Sequence, residues 1–171
     1  RMIAQSDIQA VRELARQYAE VASAERMDSL RQMWRDHNSL RGVGQPLVTV
    51  RFGMHNVWAK QVFADETLTC QDPMCRQLQR WLRMRLFHAQ TGDDTVLEPW
   101  LTHQAPLILP EQGPWGVPLG RMHSSEAGGS WRFDPALRAE ADAEKLLVPH
   151  HRIDEQQAAE GLEKMHEIVG D

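Results

Sequence analysis

Residues 104–135 are too dense in proline and glycine for a long helix or a regular strand, carrying APLILP, EQGPWGVPLG and EAGGSW in close succession. Each proline removes a backbone donor and each glycine raises the entropic cost of order. An irregular stretch of that length inside a compact domain is uncommon unless it is functional or completed by contacts elsewhere. The segment therefore limits the chain to helices and short strands on either side of a long loop. It also marks that loop as a place to look for a ligand or partner surface.

The flanks have helical periodicity. Ser6-Asp-Ile-Gln9 has the form of a capping box, and Ile8, Val11, Leu14, Ala15, Tyr18, Val21 and Ala22 recur at helical spacing, which predicts a helix over 7–23. A second follows over 25–40, with Met27, Leu30, Met33, Trp34 and His37 on one side, and Gly42-Val-Gly-Gln-Pro46 breaks it. Leu47-Val-Thr-Val-Arg-Phe52, β-branched and bounded by Pro46 and Gly53, predicts a buried strand over 47–52. In CQDPMC, Asp72 is a good N-cap and Pro73 suits the first turn, so the motif opens a helix over 73–90 with Cys75, Leu78, Leu82 and Leu86 on one face. Val96 to Leu101 predicts a short strand that Pro99 confines to an edge. Helices over 135–147 and 155–169 close the chain, the latter opened by Asp154-Glu-Gln-Gln157. The expected fold class is α+β, a single helix-rich module with a small sheet.

The chain has 171 residues, enough to bury a core without staples, and its formal charge of −5 argues against a general nucleic-acid binder. No apolar run approaches the roughly 20 residues needed to cross a bilayer, and the N-terminus lacks the apolar stretch of a signal peptide. The cytoplasm is therefore the expected location, where Cys70 and Cys75 stay reduced. Two thiols are the wrong number for a structural zinc site, which favours core or helix-cap thiols over a redox pair or a metal clip. His103, His123, His150 and His151 invite a metal reading. However, the adjacent His150 and His151 point to opposite sides of an extended chain and cannot easily share one ion, so scattered surface histidine is favoured. No metal ligand is assigned.

Several other residues carry two readings. Glu98, between apolar neighbours in VLEPWL, is expected to be solvated, paired, or held in a pocket with a shifted pKa. Arg51, ending LVTVR, presents itself to an anion or forms a plain salt bridge. Trp100, Trp115 and Trp131 suit a ligand or partner surface as well as loop anchors. Arg76, Arg80 and Arg83 form a basic face whose usual explanation is solvation, with a phosphate or acidic partner as the alternative.

Taken in order, LARQYAEVA, WRDHNSLRGVGQPLV, LTCQDPMCRQLQRWLRMRLFHAQTGDDTVLEPWL and FDPALRAEADAEKLLVPHHRIDEQQAAEGLEKMHEIVGD resemble the N-terminal part of the uroporphyrinogen decarboxylase-like proteins of anaerobes, the branch associated with corrinoid-dependent methyltransferases. The resemblance is weakest between His103 and Trp131. It implies a module that precedes a (β/α)8 barrel, with zinc ligands on the barrel and a corrinoid protein as methyl carrier. Since the chain opens at Arg1 and stops at EIVGD, it is expected to be a piece of a longer protein, inactive without the barrel. Pro46-Leu-Val-Thr-Val-Arg51 is similar to the Pro-Val-x-x-Met-Arg segment of true uroporphyrinogen decarboxylases, whose arginines hold propionates, but it continues Phe52-Gly-Met-His55 and so departs from that pattern.

The resulting expectation is a capping or framing domain at the mouth of the barrel, with Arg51, His55, Glu98, Trp100 and His103 as candidate substrate-binding residues and no catalytic residue of its own. This fragment is expected to bind no cofactor; zinc and corrinoid belong to the full-length family member. Expected partners are the barrel and a corrinoid protein, with no nucleic acid and no membrane. The alternative is a non-enzymatic interaction module or homodimer.

Overall fold

The structure, a computed structural model, describes residues 2–42, 44–51, 63–125 and 129–170. Where the sequence suggests one module, the chain divides into two compact units: Arg1–Thr102 with Glu163–Asp171, and His103–Leu162.

The first unit is helical. It contains α1 (Gln5–Ala22), α2 (Glu25–Asn38), α3 (Pro73–Ala89) and, from Glu163 onward, the last turns of α4 (Glu155–Val169). Val11, Tyr18 and Ala22 of α1, Met27 and Leu30 of α2, and Cys75 and Leu82 of α3 meet Cys70, Leu97 and Ile168 in one core. The apolar spacing read from the sequence is what brings these residues to one side of each helix, and a fully buried Leu or Val contributes about 1.5–3 kcal/mol. α1 packs chiefly against α3, where Tyr18 and Trp81 meet edge to face at 5.2 Å.

The helix ends refine the sequence reading. Asp72 Oδ1 accepts the N–H groups of Met74 at 2.9 Å and Cys75 at 3.1 Å, with Pro73 in the first turn, as CQDPMC predicts. Asp154 Oδ1 accepts from Gln157 N–H at 3.0 Å at the head of α4. The Ser6 capping box does not form. α1 starts earlier, at Gln5 after an Ala4 N-cap with no side-chain cap, so Ser6 is already helical. Its neighbour Asp7 is buried instead, with Oδ2 accepting the N–H groups of Gln71 and Asp72, both at 2.8 Å.

Neither expected strand of this unit forms. Residues 47–51 are extended without a ladder, and Val48 and Val50 are exposed rather than buried; Phe52 lies outside the described residues. The reason is that their backbone is bonded to the Asp93–Asp94 turn, chiefly through its carboxylates, with Asp94 N–H donating to the Val48 carbonyl at 2.8 Å, and not to a neighbouring strand. Val48 N–H donates to Asp94 Oδ2 at 2.8 Å and Val50 N–H to Asp93 Oδ2 at 2.6 Å. Residues 96–101 are likewise irregular, with Leu97 alone buried among them and the Glu98 carbonyl accepting from Tyr18 Oη at 2.8 Å.

The second unit carries the small antiparallel pairs. β1 (Leu107–Ile108) pairs with β4 (Arg152–Ile153), and β2 (Gly120–His123) pairs with β3 (Trp131–Asp134). Residues 104–135, expected as loop, thus contain three short strands. Between them Gly116 lies at φ +75°, and the Leu147 side chain packs so close to it that an added Cβ would meet Leu147 Cγ at 2.7 Å. The helix expected over 135–147 reduces to a 3-10 turn, Glu140–Lys145. Asp142 Oδ2 accepts the N–H groups of Arg138 and Ala139 at the head of the turn, but no residue of the turn is buried to reward a longer helix. The architecture is therefore helix-rich α+β, with two separate two-stranded pairs in place of one sheet among the described residues.

Candidate functional site

In the first unit several of the side chains that the sequence marks for chemistry are engaged in holding the fold. Glu98 is paired: its Oε2 accepts from Arg31 Nε at 3.1 Å and Nη2 at 3.0 Å, while Arg31 Nη1 donates to Asp28 Oδ1 at 2.8 Å. Arg76 Nη1 donates to the carbonyls of Leu68 and Cys70, both at 3.1 Å, Arg83 Nη1 donates to the Thr67 carbonyl at 2.9 Å, and Arg80 pairs with Asp65. The expected solvated basic face is instead a seam that binds residues 65–70 to α3.

The thiols and carboxylates have the same structural character. Cys70 and Cys75 are free and buried. Burial first, then the Asp72 charge, pushes the Cys75 thiol up to about 12, and burial followed by the Asp7 charge raises Cys70. Neither is poised as a thiolate nucleophile or ligand. Burial acts to raise Asp93, but hydrogen bonds from Val50 N–H, His88 and Thr95 outweigh it and hold the carboxyl down at about 2. Asp72 is lowered in the same way: burial opposes, and Lys164 Nζ at 2.9 Å with the two cap N–H groups prevails.

The remaining candidates are dispersed. Arg51 and Trp100 are exposed, Trp100 by 58%. His55 lies outside the described residues. His103 belongs to the second unit, where Nε2 is buried without a hydrogen-bond partner, and its ring lies so close to α4 that a Cβ at Gly161 would fall 2.1 Å from that nitrogen. No hydrogen bond or ion pair joins Arg51, Glu98 and Trp100 among the described residues.

Sequence reasoning missed the β2–β3 ribbon. Its register places Arg121 opposite Phe133 and His123 opposite Trp131, so all four project from one face. The Arg121 guanidinium lies 4.6 Å from the Trp131 ring centroid and 5.8 Å from that of Phe133, and the two rings meet edge to face at 4.6 Å. Both rings remain about half exposed. The alternation in Trp-Arg-Phe-Asp was the available signal, masked by the surrounding glycines. A second feature is an open cavity between residues 108–110 and 150–152, lined on one side by both His150 and His151.

Among the described residues, no group of three or more His, Cys, Asp or Glu side chains is arranged to hold a metal ion. No described helix is long and apolar enough to cross a membrane. The sequence matches no protein-family model, no curated protein and no solved structure.

Proposed function

We propose that this chain is the N-terminal framing module of a uroporphyrinogen decarboxylase-like methyltransferase, acting against a (β/α)8 barrel and, through it, with a corrinoid protein as methyl carrier. One observation supports this most. In residues 103–162 Trp115, Leu119, Trp131, Phe133, Leu147, Val148 and Ile153 are all exposed, and Val117 is the one buried large apolar residue of that unit among those described. An apolar surface of this kind, rich in tryptophan and loop-borne, fits a partner better than water. The first unit, with its acids and arginines paired internally, supplies the support. On this reading the chain binds and frames, Arg51 and Trp100 face the shared substrate space, and the chemistry resides in the barrel.

The test compares this 171-residue chain with the product of the complete open reading frame in a methyl-transfer assay that follows methylcobalamin formation. The chain alone should be inactive, the longer product active, and binding of the hydrophobic dye ANS per chain should fall in the longer product. Turnover by the chain alone, or a reading frame that ends at Asp171, would contradict the proposal.

The ribbon supports a second reading, a self-association module. Arg121 stacked on Trp131 and Phe133 is a composition common at protein interfaces. A mass by light scattering that doubles with concentration, and returns to the monomer in Trp131→Ala, would select it.

A further inference from the structure

The ladder between β1 and β4 ends at the pair Ile108 and Arg152. Beyond it the two chains line a cavity of about 420 Å³, with Ile108, Leu109 and Pro110 along one side and His150, His151 and Arg152 along the other. It is a groove open to solvent, lined chiefly by exposed residues and wide enough to admit a small molecule. One wall is wholly apolar. The other carries a guanidinium and two imidazoles, and no carboxylate lines the cavity to neutralise them.

Arg152 differs from the arginines that hold the fold together. Arg12, Arg26, Arg31, Arg76 and Arg83 all donate to backbone carbonyls or carboxylates. Arg152 has no hydrogen-bond or ion-pair partner among the described residues, and neither has His150 or His151. The walls are also stiff, because Pro110 ends one and Pro149 precedes the other, each fixing its own φ. Because Ile108 and Arg152 are direct cross-strand partners, their side chains leave the ladder on the same face, which sets the apolar wall beside the guanidinium.

We propose that this cavity binds a small organic anion, a carboxylate with an apolar body, its charged end on Arg152 and its body against Ile108, Leu109 and Pro110. The planar guanidinium fork matches a carboxylate in a bidentate pair, and the apolar wall selects against a purely inorganic ion. The inference stands apart from the framing role and does not require the barrel.

The experiment is an amide NMR titration of the 171-residue protein with hexanoate, with hexanol, and with inorganic phosphate. Hexanoate should give saturable shifts confined to residues 108–110 and 150–152, whereas hexanol and phosphate should not saturate those residues over the same range. Arg152→Gln should weaken hexanoate by at least about tenfold, the scale of one charge-assisted hydrogen-bonded pair. Leu109→Ser should weaken it several-fold through the apolar wall. Both side chains are exposed, so both variants should keep the parent melting temperature. Absence of saturable hexanoate binding, binding indifferent to Arg152→Gln, or phosphate binding as tight as hexanoate would each overturn the proposal.

Discussion

In the first unit Leu82, Ile168 and Val11 are completely withdrawn from solvent, whereas in the second Val148, Leu147 and Phe133 keep 76%, 62% and 58% of their surface exposed. The polar groups differ in the same sense. The first unit pairs its acids with backbone N–H groups across long stretches of sequence, as Asp7 does with Gln71 and Asp72, and Asp93 with Val50. The second leaves one nitrogen of His103 buried and unsatisfied. The contrast is between a unit with a closed, internally paired core and one that keeps large apolar side chains exposed.

The contrast is easiest to break in the core. Leu82→Ala should cost about 2–5 kcal/mol, while Val148→Ala should stay within about 0.5 kcal/mol, as urea unfolding of the two variants would record. Comparable losses would remove the distinction between the units.

A smaller effect is expected at Gln79, a buried polar side chain whose Oε1 accepts the N–H groups of Thr69 and Cys70 and whose Nε2 donates to Thr69 Oγ1 at 2.8 Å. Gln79→Ala leaves those groups unpaired, at a cost of about 2 kcal/mol or more in the same unfolding measurement.

The carboxylate clasp is sharpened by pH. Because the folded Asp93 carboxyl lies at about 2, below its unfolded value near 3.9, its contribution is complete above the unfolded value and is lost as pH falls through the folded one. Acid unfolding of the parent should therefore steepen between about pH 4 and 2, and Asp93→Asn should flatten that limb.

At the small end, Asp72→Ala removes the α3 cap and should lower stability by about 1 kcal/mol, with Asp72→Asn restoring most of it because the amide oxygen still accepts from Met74 and Cys75. If Asn fails to rescue, the Lys164 contact at 2.9 Å, and not the cap, carries the effect.

The four α-helices of the described residues were legible within a few residues because their apolar spacing is local information, and Asp72-Pro73 announces its own cap. The LVTVR stretch was misread because the partners of its backbone are side chains of Asp93 and Asp94, more than 40 residues away and written in what looks like a plain turn, TGDDT. The arginines of α3 were misread for a related reason. A sequence reports the charge but not the carbonyls of Leu68 and Cys70 waiting for it. Of the candidate residues, Glu98 was recognisable as an acid among apolar neighbours, and its pairing with Arg31 is one of the outcomes that position allows. The Arg152 cavity left no motif, since it arises from two segments about 40 residues apart that meet through the β1–β4 ladder.

The most direct test of this division of labour is amide hydrogen exchange across the whole 171-residue protein. Amides of α1 and α3 around Val11 and Leu82 should exchange only through global unfolding, and those of β2, β3 and the Glu140–Lys145 turn should exchange orders of magnitude faster. Equal protection in the two units would contradict the account, because the second would then be a self-sufficient fold and its exposed apolar surface would need a different explanation.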